Sequence, residues 1–335
     1  IKSGMPMYLA KRKCPKAKVV SGNFKIYRDF SKRMYEIFTK NTPDVEMSSI
    51  DEAYLDITGC HGTFNESPEN YTRALLMEIY GKLGLSVSCG LASSKMVAKV
   101  ASSQNKPHKF TMVPFGSEAK FLAPLSLRAM PGIGPRTSSM LSSYGFDKIE
   151  DVAKLSLGEV MDKFGTRGIA IWRRCRGFDN SPVISATSLP KSISKEHTFY
   201  NQDHSGSLCV DQLKLLSMNV FAKLRRYHMK AAAVFVKIRY KREVDGKYKF
   251  EDYTFQRNLP LPSCIESKLF PVVRELFFEN YPGDEPVRLV GMGVTKLVQN
   301  YNLTLFGRDD DKEDLFMRID AMKQIYGDKA LTYGA

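Results

Sequence analysis

A short strand-like run with two adjacent acidic residues constrains the fold of this chain more than any other feature. Residues 48–59, Ser-Ser-Ile-Asp-Glu-Ala-Tyr-Leu-Asp-Ile-Thr-Gly, are rich in the β-branched and aromatic residues that favour strands. Neighbouring side chains of a straight strand point to opposite faces. Asp51 and Glu52 can therefore serve one site only where the chain bends. The run predicts a β-hairpin with strands near 45–50 and 53–58 and both acids at its tip.

Two carboxylates at a hairpin tip need a positive charge nearby, because like charges held close together destabilise each other. Divalent metals such as Mg²⁺ prefer oxygen ligands and bridge substrate phosphates, so Asp51 and Glu52 are candidate metal ligands. The alternative, which is typical of an arbitrary Asp-Glu pair, is an acidic turn exposed to solvent. The surrounding sequence favours the metal site.

Four segments resemble, in family order, the signature sequences of the Y family of DNA polymerases, the translesion enzymes. Residues 49–56, Ser-Ile-Asp-Glu-Ala-Tyr-Leu-Asp, are similar to the palm signature. The others are residues 90–107, which begin Gly-Leu-Ala-Ser-Ser-Lys and end Asn-Lys-Pro, residues 131–134, Pro-Gly-Ile-Gly, and residues 191–199, Lys-Ser-Ile-Ser-Lys-Glu-His-Thr-Phe. The resemblance covers nearly the whole chain and is nearest to the bacterial DNA polymerase IV type.

The chain is expected to be an α+β multidomain protein. The resemblance implies partial fingers in residues 1–22, a palm in 23–118, an all-helical helix-hairpin-helix thumb in 119–187, a little finger in 188–300 and a C-terminal tail in 301–335. In the palm, periodicity predicts helix 25–39, the hairpin, helix 71–83, a short strand 85–91 and helix 93–103. This order indicates an antiparallel sheet backed by helices. In the little finger the periodicity predicts β-α-β-β-α-β, with two helices against a four-stranded sheet.

Composition indicates a polyanionic partner. The formal net charge is +14, and the positive excess occurs in every segment except the tail. No apolar run approaches the roughly 20 residues of a membrane span, and no signal peptide is visible. The six cysteines form no Cys-x-x-Cys pair and the five histidines are scattered. We therefore expect reduced thiols, a cytoplasmic protein, and neither a disulfide framework nor a zinc site.

Two segments are candidates for contact with the DNA backbone. At Gly132 and Gly134 the backbone could approach a phosphate closely, and the following helix, which begins near Arg136, offers unpaired N–H groups. In the predicted strand 232–240, Lys237 and Arg239 alternate with apolar residues and so share one face. The alternatives are an ordinary glycine-containing loop and a solvated sheet face.

Further basic residues come from the resembling motifs. Residues 191–199 add Lys191 and Lys195 to the DNA-binding candidates. Lys95 and Lys99, one helical turn apart, could add positive potential but are more typical of a solvated helix face.

The resemblance implies template-directed DNA synthesis past damaged template, with low fidelity and no proofreading. A primer 3′ hydroxyl attacks the α-phosphate of a dNTP, and the protein aligns the groups and neutralises charge. Asp51 and Glu52 are then the catalytic acids and hold two Mg²⁺ ions, for which Mn²⁺ can substitute. Lys106 matches the family position that holds the triphosphate.

The family has a third metal-binding carboxylate on its first strand, in an Asp-x-Asp-x-Phe-Phe-like segment. This sequence contains no such segment and begins at Ile1 within a stretch similar to the family's fingers. We therefore expect these 335 residues alone to polymerise poorly or not at all. Robust primer extension by this polypeptide would contradict that expectation.

The tail holds a candidate docking peptide. Residues 302–306, Asn-Leu-Thr-Leu-Phe, resemble the sliding-clamp peptide of bacterial family members, although asparagine replaces the usual glutamine. Leu303, Leu305 and Phe306 would bind the clamp, or would pack on the little finger as an ordinary apolar stretch. The expected partners are thus primer–template DNA, dNTP and the clamp, with no membrane and a monomeric chain.

Two other functions fit the acid pair. A nucleotide cyclase also places acids on a palm-like hairpin, but would not need a helix-hairpin-helix or a separate basic domain. A non-catalytic DNA-binding scaffold would bind duplex tightly and with strong salt dependence, and Asp51→Ala would leave that binding intact.

Overall fold

The computed structural model describes residues 1–2, 4–60, 66–185, 189–199, 206–283, 286–299 and 308–327. The chain divides into two compact units, Ile1–Thr187 and Ser188–Ala335. In the described residues, unit 1 contains two buried hydrophobic clusters and unit 2 contains one. None of the described helices combines the length and the apolar character that a membrane span requires.

The first part of unit 1 contains short strands between helices. Its elements are α1 (Met7–Lys13), α2 (Phe24–Asn41), β1 (Asp44–Met47), β2 (Ala53–Asp56), α3 (Pro68–Leu83), β3 (Cys89–Leu91), α4 (Lys95–Gln104) and β4 (Phe110–Met112). β1 and β2 pair antiparallel, whereas β3 and β4 pair parallel with α4 between them. The described strands thus form two separate pairs, and the expectation of one antiparallel sheet is wrong for this part of the chain.

Helices α2 and α3 pack against the hairpin through a small core. Ile37 and Phe38 of α2, Val45 of β1, and Leu75 and Ile79 of α3 are buried together. Both helices were predicted from their periodicity, and the prediction is confirmed with starts one to three residues earlier. This core fixes the hairpin on its helical support and leaves its tip free to carry polar groups.

The second part of unit 1 is helical, as predicted. It consists of α5 (Glu118–Leu122), a 3-10 turn (Leu127–Ala129), α6 (Pro135–Ser143), α7 (Ile149–Ala153) and α8 (Leu157–Cys175). Val97 and Val100 of α4 are buried in the same core as Leu127, Leu141 and Ile149. The segments expected as palm and thumb therefore share a core through α4 and belong to one unit.

Unit 2 is a four-stranded antiparallel sheet with helices on one face. Its elements are β5 (Ser192–Thr198), α9 (Gly206–Arg226), β6 (Lys230–Val244), β7 (Lys247–Ser263), α10 (Glu266–Glu279), β8 (Val287–Val298) and α11 (Arg308–Tyr326). The sheet order is β5-β8-β6-β7. The predicted β-α-β-β-α-β order is confirmed. Asp245 and Gly246 both have positive φ in the β6–β7 turn, as a tight hairpin turn requires.

The two faces of this sheet differ in chemistry. Val234, Val236 and Ile238 of β6 are fully buried against α9 and α10. The alternate residues Lys237 and Arg239 lie on the other face, which we call the open face. Glu196 of β5 and Asp252 of β7 lie on the same face as these two bases, as do Lys241 and Glu243 further along β6.

Candidate active site

The acid pair lies at the tip of the β1–β2 hairpin, as predicted. The ladder runs from Asp44 opposite Asp56 to Met47 opposite Ala53, so residues 48–52 form the bend. The backbone N–H groups of Ser48 and Ser49 both donate to the carbonyl of Glu52, at 2.9 and 3.2 Å. The bend begins earlier than expected, because β1 ends at Met47 rather than near residue 50.

The two carboxylates have different surroundings. Asp51 is exposed, and its Oδ1 accepts a 2.6 Å hydrogen bond from Oγ of Ser49. Glu52 is partly buried and forms an ion pair with Lys99 of α4, with the two side chains 37% and 30% exposed. Lys99 therefore supplies the positive charge that the acid pair was expected to need.

The other lysine of α4, Lys95, contacts the two strands of the hairpin close to the bend. Lys95 Nζ lies 2.5 Å from Oε2 of Glu46, 3.1 Å from the carbonyl oxygen of Pro182 and 4.9 Å from the ring centroid of Tyr54. Its side chain is only 17% exposed. The interpretation of Lys95 and Lys99 as a solvated face is wrong, because α4 faces the hairpin and its lysines meet the hairpin acids.

Glu46 is the centre of this second ion pair. Its Oε2 also accepts from the backbone N–H of Ile184 at 2.8 Å. Burial raises the pKa of Glu46, but the hydrogen bonds from Lys95 and Ile184 and the charge of Lys95 outweigh burial and leave the pKa below its ordinary value. Glu46 is therefore ionised at neutral pH and links α4, β1 and the segment that follows α8.

A glycine brings α4 close enough for these contacts. A Cβ on Gly90 of β3 would lie 2.0 Å from the carbonyl oxygen of Ala98 and 2.6 Å from the backbone nitrogen of Ser102. Only a residue without a side chain allows this approach of helix to strand. Ser94 caps the helix, since its Oγ accepts from the N–H of Val97.

Lys106 differs from the other two lysines. It follows α4 directly, is exposed, and has a cis peptide bond to Pro107. Within the part of the chain that the structure describes, its side chain makes no hydrogen bond or ion pair. Its ammonium is therefore available for an external anion.

The donor chemistry at the tip fits a hard divalent cation, because both side chains offer carboxylate oxygens. Across the described ranges no group of three His, Cys, Asp or Glu side chains is arranged to hold a metal ion. Asp51 and Glu52 are thus two candidate ligands of a site and not a complete ligand set.

The helix-hairpin-helix candidates form a compact turn before α6. Gly132 has φ of +87°, which favours glycine, and Gly134 is the N-cap of α6, with open space where a Cβ would stand. Arg136 in the first turn is exposed. Arg174 lies against this turn, with Nη1 3.5 Å from the carbonyl oxygen of Pro131.

The basic candidates of unit 2 do not all share a face. Lys237 and Arg239 lie on the open face, where they pair with Glu196 and Asp252. Lys195 lies on the opposite face, because it shares the register of Met292 and Val236, and its Nζ donates to Asn219 of α9 at 3.1 Å. Lys191 is exposed just before β5.

The candidate clamp peptide lies outside the described residues. This applies to Leu303, Leu305 and Phe306 alike.

Comparison with protein families covers most of the chain. Residues 1–103 match the impB/mucB/samB family, and residues 190–305 match the C-terminal domain of that family. Residues 128–179 match the thumb domain of DNA polymerase iota.

Individual relatives and structures agree with these matches. A DNA polymerase IV from Dehalococcoides mccartyi is 32% identical over 339 residues, which cover 100% of this chain and 84% of that protein. A DNA polymerase IV from Caulobacter vibrioides is 31% identical, covering 99% and 81%. The solved structure of a Y-family DNA polymerase chimera aligns with a TM-score of 0.75 at 23% identity, covering 90% of this chain and 84% of that one. That likeness supports the fold.

The chain therefore belongs to the impB/mucB/samB family, the Y-family DNA polymerases, and within it to the bacterial DNA polymerase IV type. The activity of this class is DNA-directed DNA synthesis, including synthesis past damaged template, and enzymes of the class use divalent metal ions. The cyclase and scaffold alternatives find no support in these matches.

Proposed function

We propose that this chain joins dNTP to a primer 3′ hydroxyl at the tip of the β1–β2 hairpin, where Asp51 and Glu52 would hold Mg²⁺. The observation that carries the proposal is the bend at residues 48–52, which removes both carboxylates from the strand ladder. Two Mg²⁺ ions, when bound, would activate the attacking hydroxyl and neutralise the leaving pyrophosphate.

Lys99 would serve as the resident counter-ion of Glu52. Its ammonium pairs with the Glu52 carboxylate and so holds that side chain beside α4. An arriving divalent cation carries more charge and would displace the lysine from the carboxylate oxygens. The partner of Asp51 is a neutral hydroxyl, so a metal ion need not displace a positive charge from that carboxylate.

Lys106 would hold the triphosphate. It is exposed and close in sequence to Lys99, and an ammonium suits phosphate as a point charge. Because its side chain has no partner in the described residues, binding an anion requires no ion pair to break.

The DNA backbone would be held by groups in both units. In unit 1, Gly132 and Gly134 allow close approach, and the N–H groups at the start of α6 can bind phosphate beside Arg136. In unit 2 the candidates are Lys191, Lys195, Lys237 and Arg239; Lys195 would reach DNA only from the helix side of the edge strand β5. Docking to a sliding clamp through residues 302–306 remains part of this proposal, as does a monomeric chain.

Single-turnover primer extension with Mg²⁺ tests the proposal, with the chain in excess over primer because these residues alone are expected to extend primers slowly. Relative to the unsubstituted chain, Asp51→Asn and Glu52→Gln should each lower the extension rate by about 10²–10³-fold, since each removes charge that stabilises the transition state. Asp44→Asn is the matched control, because Asp44 lies on the same hairpin and its side chain, among the described residues, accepts a hydrogen bond only from Oγ of Ser185. DNA affinity should not change in any of the three. Extension by Asp51→Asn at the control rate would contradict the proposal.

A further inference from the structure

The open face of the unit 2 sheet carries its own counter-ions. Lys237 Nζ lies 3.0 Å from Oε1 of Glu196 on β5 and 3.7 Å from Oδ2 of Asp252 on β7. Arg239 donates to both carboxylate oxygens of Asp252, with Nη2 2.7 Å from Oδ2. Lys237 and Arg239, the bases of this face that are proposed to contact DNA, are thus already paired with two acids.

A glycine makes the first of these pairs possible. Glu196 and Lys237 are not on neighbouring strands; Gly291 of β8 stands between them and is in register with both. A Cβ on Gly291 would lie 2.8 Å from Cγ of Glu196. Because Gly291 has no side chain, the carboxylate can cross β8 and reach the ammonium.

These ion pairs place negative charge beside the bases that a DNA phosphate would contact. Glu196 and Asp252 are 42% and 43% exposed, more than Lys237 at 22% and Arg239 at 31%. A phosphate that approaches either base therefore meets a carboxylate that is more exposed than the base itself. The pKa of Asp252 lies below its ordinary value, chiefly because of the hydrogen bonds from Arg239, so this acid stays ionised at neutral pH.

We propose that Glu196 and Asp252 compete with DNA phosphates for Lys237 and Arg239 and thereby limit how tightly the open face holds DNA. This rests on the proposed DNA contact of that face. A base paired with a protein carboxylate has fewer counter-ions to release when it meets DNA, so it adds less to affinity. The expected consequence is faster release of DNA and shorter runs of synthesis than the basic residues alone would give.

DNA binding without nucleotide or metal tests the proposal. Fluorescence anisotropy with a labelled primer–template should show Glu196→Gln and Asp252→Asn binding about three- to tenfold more tightly than the unsubstituted chain at low salt. The slope of log affinity against log salt should become steeper by about one. Both substitutions keep the shape of the side chain, and both sites are exposed, so the fold should be unaffected.

Glu275→Gln is the matched control for net charge. Glu275 of α10 lies 3.2 Å from Nη1 of Arg257, so its substitution removes one negative charge and also loosens an arginine pair. Arg257 is in register with the buried Val234 and so lies on the helix-covered side of the sheet. The affinity of the Glu275→Gln variant for DNA should therefore stay within about twofold of that of the unsubstituted chain.

A double substitution separates competition from general charge. In a Lys237→Gln background, Glu196→Gln should lose most of its effect, because the base it competes for is gone. Equal tightening by Glu275→Gln, no tightening by Glu196→Gln and Asp252→Asn, or full additivity with Lys237→Gln would each overturn the proposal. Asp51 plays no part in this measurement, so failure here leaves the hairpin proposal untouched, and failure of the hairpin proposal leaves this one standing.

Discussion

At the hairpin tip of unit 1 and on the open face of unit 2, the proposed functional groups are held in ion pairs, but these groups have opposite charges. At the tip, the proposed functional group is an acid, Glu52, and its partner is Lys99. On the open face, the proposed functional groups are bases, and the partners are Glu196 and Asp252. Glu52 would bind a cation, whereas Lys237 and Arg239 would bind an anion. An ion pair does not itself reveal which of its two members is functional; the charge of the external ligand decides.

The two regions also differ in how rigidly the counter-ion is held. Lys99 lies on α4, which packs tightly on β3 at Gly90 and is buried in the core of unit 1. Glu196 lies on the edge strand β5 and crosses β8 only because of Gly291. We therefore expect changes in helix packing to disturb the hairpin strongly, and changes on the open face to alter affinity with little effect on stability.

The largest effect should come from Gly90→Ala. The new Cβ would meet the Ala98 carbonyl and push α4 away from β3, which should lower the free energy of unfolding of unit 1 by about 3 kcal/mol. Trp172, the only tryptophan, lies in α8 of the same unit, so its fluorescence during denaturation reports this loss.

Gly81→Ala is the control for that substitution. Gly81 lies inside α3, and a Cβ there would have no atom within 4 Å, so the change should raise the stability of unit 1 by about 0.5–1 kcal/mol. If Gly90→Ala did not lower the stability of unit 1, the position of α4 would not depend on its close approach to β3 at Gly90.

The next largest effect should come from Lys106→Gln. Loss of the ammonium should raise the KM for dNTP by about tenfold or more with a smaller change in kcat, because a charge contact with the triphosphate is lost. Steady-state single-nucleotide insertion measures both constants. Lys109→Gln is the control, since Lys109 is also exposed and follows Lys106 by three residues. An equal rise in KM for both variants would show a general charge effect.

Lys99→Met should have a smaller effect, and it should strengthen the binding of a ligand rather than weaken it. Removing the resident cation should strengthen Mn²⁺ binding by about fivefold, because the metal no longer competes with an ammonium for Glu52. Electron paramagnetic resonance of free Mn²⁺ measures this affinity without any activity. Lys95→Met should leave it unchanged, because its partner Glu46 is not a proposed ligand. Weaker Mn²⁺ binding by Lys99→Met would show that the lysine builds the site rather than competing for it.

The smallest effect concerns pH and the Glu46–Lys95 pair. The pKa of Glu46 lies below its ordinary value of 4.5, so the ionised form stabilises the folded state. The chain should be about 1 kcal/mol more stable than Glu46→Gln at pH 7. That difference should be complete above pH 4.5 and should disappear as the pH falls through the lower pKa of the folded state. Trp172 fluorescence in denaturant measures it, and a difference that grows in acid would contradict the assignment.

The sequence was sufficient for the hairpin and for unit 2. Asp51 and Glu52 could be placed at a bend because two adjacent acids interrupt a strand-like run, and the β-α-β-β-α-β order followed from periodicity alone. The parallel β3–β4 pair was missed because β4 has only three residues, too few for an alternating pattern. Once β4 is recognised, the intervening helix α4 favours the parallel pairing that is observed.

Contacts between distant segments could not be predicted in the same way. Periodicity shows that Lys95 and Lys99 share a helix face, but not that this face meets the hairpin acids 49 and 47 residues earlier. The position of Lys195 could have been inferred, because it lies two residues after the apolar Ile193 and therefore shares its face. The pairing of Glu196 with Lys237 depends on the strand order and on Gly291, and neither follows from one strand alone.

The most direct test of the hairpin account is the crystal structure of the chain with primer–template, dNTP and Mn²⁺. We expect an anomalous peak about 2.1 Å from carboxylate oxygens of both Asp51 and Glu52, with Lys99 Nζ withdrawn from Glu52. A peak elsewhere, with Glu52 still paired to Lys99, would contradict it.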